Sequence, residues 1–533
     1  MQEARLLTTR QLMILYLGFF AVYISGLFIP LMENDSAQHA SMAMRMALTG
    51  DFLHIYKGEN PYLDKPQLHF WLAALSMKAF GVNQFAYRIP ALMALALGAY
   101  STKKLAELLY GNPNLGHTAA LMFLSAQTII LSAHDVRTDA VLTGFIIFAV
   151  WQLVRFIKTQ ELSSAILGGL GTALAFSSKG QMAVVIIGFS IFAYLLYSRD
   201  WKRFFNLKLF IATAAFLVGI LPVLIAYYEQ FGVEGLRFIL FNQSLNRLSG
   251  NGFKETSPDY SFFFHTLLWA FLPFSLLFYT GVFDRAAWFI KNRFRKVSGV
   301  EFLTLGGFWL VMLLFSASKF KLPHYLNGLI AIISIFTASY LFRSFVTNQQ
   351  KKIRILYIIQ LVVIVAVLVA IGFLVHYFTG VPNVVMFCVA AVAFAYLLYQ
   401  MFERREPFRK YLFISLWFAV SLNLFLNSLF YPVLTQYQGS YKLAQFVNQA
   451  NLDKDKIFML ENYEPWNFDF YTQQNTPRAP EKQLHPGDML VIYKDDMPNL
   501  NKHYKILRSE KHFRITRLSL KFLNPATRPE KLS

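Results

Sequence analysis

The chain has 533 residues, 56% of them hydrophobic, with a positive mean hydropathy and a formal net charge of +20. A soluble core of that length uses far less apolar surface, so most of it must face lipid, and the charge is read against the helices rather than as a nucleic-acid signal. A single cysteine, Cys388, excludes an intrachain disulfide framework and a cysteine-based metal site.

A bilayer core takes roughly 20 apolar residues per helix. Apolar segments predict about thirteen spans, near 11–31, 85–108, 117–133, 138–157, 163–177, 181–198, 207–228, 262–283, 300–316, 323–342, 354–378, 382–402 and 411–432. The first has no small-residue cleavage site before the polar run Glu33 to Ser36 and reads as a retained helix. With a cytoplasmic N-terminus, Lys103, Lys104, Arg155, Lys158, Arg199, Lys202 and Arg203 all fall on inside loops. So do Arg285, Lys291, Arg293, Arg295, Lys296, Lys351, Lys352, Arg354, Arg404, Arg405, Arg409 and Lys410, which is the positive-inside pattern. The same count puts outside the first outer loop (32–84), the turns 134–138 and 317–322, the loop 229–261 and the C-terminal tail.

The expected fold class is a polytopic α-helical membrane protein: a transmembrane domain over 1–432, amphipathic helices in its first outer loop, and a small extracytoplasmic α/β domain over 433–533. In the tail, apolar and charged residues alternate over 456–461, 489–493 and 504–520, as in strands. Leu443, Phe446, Val447 and Ala450 keep helical spacing. No soluble-type repeat and no Gly-rich nucleotide loop is present.

Chemistry-bearing residues collect on the outer loops. Asp35 precedes Ala40 to Leu48, a segment that reads as an amphipathic helix on the membrane surface. Asp35 would stand at its N-terminus, as an N-cap with Gln38 completing a capping box, as a functional carboxylate, or as both. In Asn60-Pro61-Tyr62-Leu63-Asp64-Lys65-Pro66, two prolines fix the directions of Tyr62, Asp64 and Lys65. Asp135 and Asp139 are four apart and share a face if that segment is helical. Arg88, Arg137, Lys179, Arg237, Arg247, Lys319 and Lys321 are outward cations that orientation does not require, with Lys319 to Tyr325 the densest group. Interfacial snorkelling accounts for single cations of this kind. Carboxylates beside clustered cations suit transfer of a group from an anionic lipid carrier: cations stabilise the departing phosphate, and a carboxylate orients or deprotonates the attacking group.

In these motifs the chain resembles the GT-C superfamily of membrane glycosyltransferases, in the branch containing lipid A aminoarabinose transferases and protein O-mannosyltransferases. The resemblance rests on Asp35 with Ser-Ala-Gln-His-Ala, on Gly50-Asp51-Phe52, on Asn60 to Pro66 and on Phe80 to Pro90. Further matches are Thr138-Asp139-Ala140-Val141-Leu142, Ser178-Lys179-Gly180 and Lys321-Leu322-Pro323-His324-Tyr325. It implies an enzyme of the bacterial inner membrane with a periplasmic C-terminal domain. Such an enzyme passes a sugar from a polyprenyl (undecaprenyl) phosphate to a lipid or glycan acceptor such as lipid A, or to a protein, with inversion. Its partners would be that donor, the acceptor and membrane lipids, with no nucleic acid. By the same resemblance Asp35 and Asp139 would be the catalytic carboxylates. Tyr62, Lys65, Arg88, Arg247, Lys319, Lys321 and Tyr325 would bind substrate or the lipid phosphate.

Two positions depart from the family pattern. Ser36 stands where the family usually has Glu, so a paired carboxylate must come from Asp139 or Glu33. In Phe241 to Arg247 no histidine precedes the arginine, which puts in doubt a divalent metal held by Asp64 and leaves the cofactor open. A transporter or flippase is the rival reading. That class favours charges near mid-membrane and internally repeated bundles, whereas these charges cluster at one surface. A structural assembly protein would explain the tail and leave Asp35, Asp64 and Asp139 without a role.

Overall fold

The computed structural model describes residues 4–249, 259–297, 299–378, 384–460 and 463–532. Helix α1 (Thr9–Gly26) opens on a capping box in which Thr8 accepts from the Gln11 amide. The first loop folds into α2 (Asp35–Thr49), a short antiparallel pair β1 (Tyr56–Lys57) and β2 (Asn60–Pro61), and α3 (Leu68–Phe80). Helix α4 (Gln84–Tyr110) is capped by Asn83, which accepts from the Ala86 amide. Helices α5 (Pro113–Ser125) and α6 (Gln127–His134) are bent 57° against each other.

Next come α7 (Thr138–Thr159), α8 (Leu162–Lys179) and α9 (Gln181–Ser198). Helices α8 and α9 meet at Gly180, whose φ of 72° and ψ of −149° lie where a side chain is not tolerated. Helix α7 approaches α4 so closely that a Cβ on Gly144 would sit 2.1 Å from the Ala94 carbonyl oxygen. Small residues at such crossings are how helices pack in lipid, where no hydrophobic force drives them together.

One-turn α10 (Trp201–Phe204) leads to α11 (Leu207–Arg237) and α12 (Gln243–Ser249). They are followed by α13 (Phe262–Ala270), α14 (Ser275–Lys291), α15 (Leu303–Ala317) and α16 (Asn327–Val346). Helices α17 (Gln350–Phe378), α18 (Val384–Phe402) and α19 (Pro407–Phe425) complete the bundle. Helices α7 and α16 are largely buried, while α11 and α17 expose apolar side chains such as Phe210, Val362 and Val369 along their length, as lipid-facing helices do. The protein is therefore a multi-pass membrane protein. Helices occupy every apolar segment of the sequence, but among the described residues six are by themselves long and apolar enough to cross a membrane, or seven with the bent α5–α6 pair counted once.

The C-terminal part contains α20 (Tyr431–Thr435), α21 (Gly439–Gln449), β3 (Ile457–Met459), α22 (Trp466–Thr472) and β4 (Met489–Val491), with β3 and β4 paired in parallel. The helix expected from Leu443, Phe446 and Val447 is α21, and two of the three expected strands form. The third, 504–520, runs without a ladder into a 3₁₀ turn at Ile515–Arg517 and the short α23 (Leu520–Leu523). Lys505, Ile506, Leu507 and Arg508 are all exposed there, so neither face of a strand would be covered.

Helix α2 corrects a second expectation. Its faces are covered by protein and not left to headgroups: Ser36 to Met44 and Met46 are buried, packed against α3 and α22. Its mixture of small residues and Met suits a tightly packed inner helix, which the periodicity did not distinguish from an interfacial one.

Candidate active site at one end of the bundle

The loops before α2, between α6 and α7, and between α15 and α16 converge at one end of the bundle, and Arg137 is their meeting point. Its guanidinium lies 3.1 Å from the Asp35 carboxylate and 2.8 Å from that of Asp135, and 3.4 Å from Nδ1 of His324. Its pKa is raised above the usual arginine value by Asp135 first, then Asp35 and Asp139. Asp35 is the first residue of α2, where the helix dipole favours a carboxylate, and its side chain is 48% exposed. The residue before it, Asn34, makes no side-chain cap, so the capping box with Gln38 does not form.

Asp139 stands in the first turn of α7, as the sequence implied, and is buried with Lys179 at 2.5 Å. Lys179 Nζ also lies 4.8 Å from the centre of the Tyr325 ring, and His324 Nε2 is 3.9 Å from Asp139. Asp135 ends α6 in a non-helical conformation and Asp139 begins α7, so the two do not share a helical face. Both instead flank Arg137 from either side of the break.

Lys65 is close enough for its charge to reach His324 and His39, and it pairs with Asp64. The Asp64 carbonyl accepts from Gln243 and the Leu63 carbonyl from Tyr227, which ties this segment to α11 and α12. Tyr62 packs edge-on to Phe70, and its amide donates to Ile55. Lys321 is buried, with Nζ 5.5 Å from the Tyr260 ring centre, while Lys319 is exposed. Arg247 is carried on α12, and its side chain lies outside the described residues.

Arg88 is placed differently from the substrate-binding role expected of it. It is fully buried and donates to the main-chain carbonyls of Leu27, Ile29, Pro30 and His134. It closes the ends of α1 and α6 against α4 and has no face left for a ligand.

Glu33 is likewise occupied. It is buried and accepts from Ser440 Oγ at 2.7 Å and from the Asn467 amide at 3.2 Å. Gln438 bridges the Leu31 carbonyl and the Glu33 amide, and Ser41 donates to the Trp466 carbonyl. The C-terminal part thus holds the start of the first loop.

The metal suggested through Asp64 finds no matching ligands. Among the described residues no group of three or more His, Cys, Asp or Glu is arranged to hold an ion, and the Asp64 carboxylate is on Lys65. Beneath the site, His39 and His69 form a buried pair with ring centres 5.8 Å apart. His69 Nε2 is 3.3 Å from the Tyr87 hydroxyl, which donates to the Val136 carbonyl beside Arg137. The part played by Arg137 was not assigned from the sequence, although its place between two aspartates was a signal for it.

Residues 64–226 match the family model described as dolichyl-phosphate-mannose-protein mannosyltransferase. A solved structure of ArnT from Cupriavidus metallidurans bound to undecaprenyl phosphate superposes with a TM-score of 0.68 at 17% identity, covering 88% of this chain and 86% of that one. The chain shares the fold of that structure. Its resemblance to the aminoarabinose transferases extends to sequence. An undecaprenyl phosphate-α-4-amino-4-deoxy-L-arabinose arabinosyl transferase of Pseudomonas aeruginosa is 29% identical over 316 residues, 58% of this chain and 55% of the relative. One of Edwardsiella ictaluri is 28% identical over 372 residues, 66% of this chain and 62% of the relative. The chain thus spans a little over half the length of the curated relatives it matches.

Proposed function

We propose that this chain is a membrane glycosyltransferase that moves a sugar from a polyprenyl phosphate to an acceptor at the outer face of a bacterial inner membrane, with inversion. One observation carries the reading: Asp35 and Asp139, from two separate loops, stand beside Arg137, Lys179 and His324, with Lys65 in electrostatic range, at a single end of the bundle. Its relatives are undecaprenyl phosphate-aminoarabinose transferases, and the ArnT structure is bound to undecaprenyl phosphate, so an undecaprenyl-phosphate aminoarabinose is the first donor to try; lipid A is the first acceptor.

In this reading an acceptor oxygen attacks the anomeric carbon from the face opposite the lipid phosphate. The new glycosidic bond forms as the bond to the phosphate oxygen breaks, and the phosphate departs with the electron pair. Lys65 and Lys321 stabilise the charge that develops on it, and Tyr62, Tyr325, Lys319 and Arg247 are the further groups that the resemblance assigns to the phosphate. Asp35 is the exposed carboxylate and meets the acceptor. It takes the proton of a hydroxyl acceptor, whereas an anionic phosphate acceptor needs no base. Asp139, held by Lys179, sets the local field. The excess of cations at the opposite end supports a cytoplasmic N-terminus, and with about thirteen apolar segments that orientation makes residues 433–533 periplasmic.

Reconstitution with a radiolabelled undecaprenyl-phosphate sugar tests this. Label should pass to an envelope acceptor, and Asp35→Asn should abolish transfer while leaving carrier binding intact. Label that stays on the carrier with every envelope acceptor would refute the reading.

A further inference from the structure

Residues 502–521 contain seven lysines and arginines against one glutamate, and from Lys502 to Arg517 a cation recurs at every third position. The stretch lies at the same end of the bundle as Asp35. Phe513, Ile515 and Phe522 form a small core with Ile29 and Met32 just past α1 and with Phe378, the last residue of the lipid-exposed helix α17. Arg528 anchors the far side by donating to the Tyr377 carbonyl and stacking over the Phe378 ring at 5.0 Å. The ribbon is therefore fixed where a membrane span emerges from the bilayer.

Its solvent side has two features that do not serve the fold. Lys502 donates to the Glu481 and Leu484 carbonyls, and Arg508 pairs with Glu510. Lys505, Lys511, Arg514, Arg517 and Lys521, in contrast, are exposed and make no ion pair among the described residues. Between the last cations, Leu518 and Leu520 are 41% and 82% exposed. Exposed leucines interleaved with uncompensated cations, at the mouth of a membrane span, match the two terms of interfacial binding: apolar insertion and attraction to anionic headgroups. Cations outside the membrane are also not needed to orient the helices.

The geometry points to the ribbon 505–521 as a docking surface for the anionic lipid headgroups of the adjoining leaflet, with Leu518 and Leu520 entering the headgroup layer and Arg514, Arg517 and Lys521 binding phosphates. This does not depend on the transfer reaction. Docking pins the C-terminal part, and through Gln438 and Ser440 the start of the first loop, at a set height above the membrane.

Hydrogen exchange of the full-length protein in nanodiscs tests it, using phosphatidylcholine alone and phosphatidylcholine with phosphatidylglycerol. Backbone amides of 505–521 should exchange several-fold more slowly with phosphatidylglycerol, and the difference should shrink at high salt as the charges are screened. The R514E/R517E/K521E variant changes only exposed side chains and should lose the difference, at about five-fold in partitioning per cation near the surface. Equal exchange in the two nanodiscs, or a lipid-dependent difference that survives in the variant, overturns the proposal. So does equal protection by inorganic phosphate in phosphatidylcholine discs, which would mark a free-anion site.

Discussion

Arg137 and Asp35 are far apart in sequence, yet their side chains meet at 3.1 Å, and the same guanidinium holds Asp135 at 2.8 Å. One cation therefore fixes the position of the half-exposed carboxylate relative to the mouth of α7. Replacing Arg137 with Gln should lower transfer by about two to three orders of magnitude, the scale for loss of a preorganised charged group at a reacting centre. Arg137→Lys should recover only part of this, because a point charge does not reproduce a fork between two carboxylates. Single-turnover kinetics in proteoliposomes measure both.

Asp139 and Lys179 are a different kind of pair, with side chains only 4% and 3% exposed. Removing one partner takes from the other buried charge its nearest counter-ion, at a cost of up to about 3–5 kcal/mol. Asp139→Asn and Lys179→Met should each lower the melting temperature in detergent, and the Asp139→Asn/Lys179→Met double variant should be more stable than either alone. All three should be inactive if the pair sets the field at the site. Additive losses of stability in the double variant would contradict the coupling.

For Arg88 the expectation is a structural defect with no direct effect on donor recognition. Arg88→Met leaves four main-chain carbonyls without their donor. At about 1 kcal/mol or more for each buried unsatisfied group, the protein should be destabilised by several kcal/mol. The fraction that remains folded should keep the wild-type affinity for undecaprenyl phosphate, which ligand-dependent thermal shift would show.

Acidification should act through the buried histidines. Burial pushes the His69 imidazole down to about 4, and that of His39 well below its ordinary value. Above the unfolded value near 6.5 both states are neutral and no penalty arises. Below it the unfolded chain binds protons that the folded chain does not, so stability falls as pH drops from about 6.5 towards 4. For His69 alone the loss approaches about 3 kcal/mol. Melting temperatures between pH 7 and pH 4.5 should fall, and fall less in His69→Gln.

Much of this was legible in the sequence because lipid is a severe solvent. A helix must be apolar over its full span, so the segments around 138–157 and 354–378 could be read directly, and alternating Lys/Arg loops gave two chemically distinct ends. Asp35 and Asp139 were legible from motif and loop. Arg137 as the partner of Asp35 was not, because Asp35 reaches it from a loop brought there by tertiary packing. The buried state of α2 was hidden for the same reason: its cover, α22, lies more than four hundred residues downstream. Arg88 looked like an outward cation because hydropathy reports where a helix ends, and not whether carbonyls wait there to fill its guanidinium.

The bonds from Gln438, Ser440 and Asn467 to Leu31 and Glu33 also impose an order on biogenesis. The loop bearing Asp35 is made about four hundred residues before the groups that hold it. The first loop must therefore wait, inserted but unassembled, until Gln438, Ser440 and Asn467 have left the ribosome.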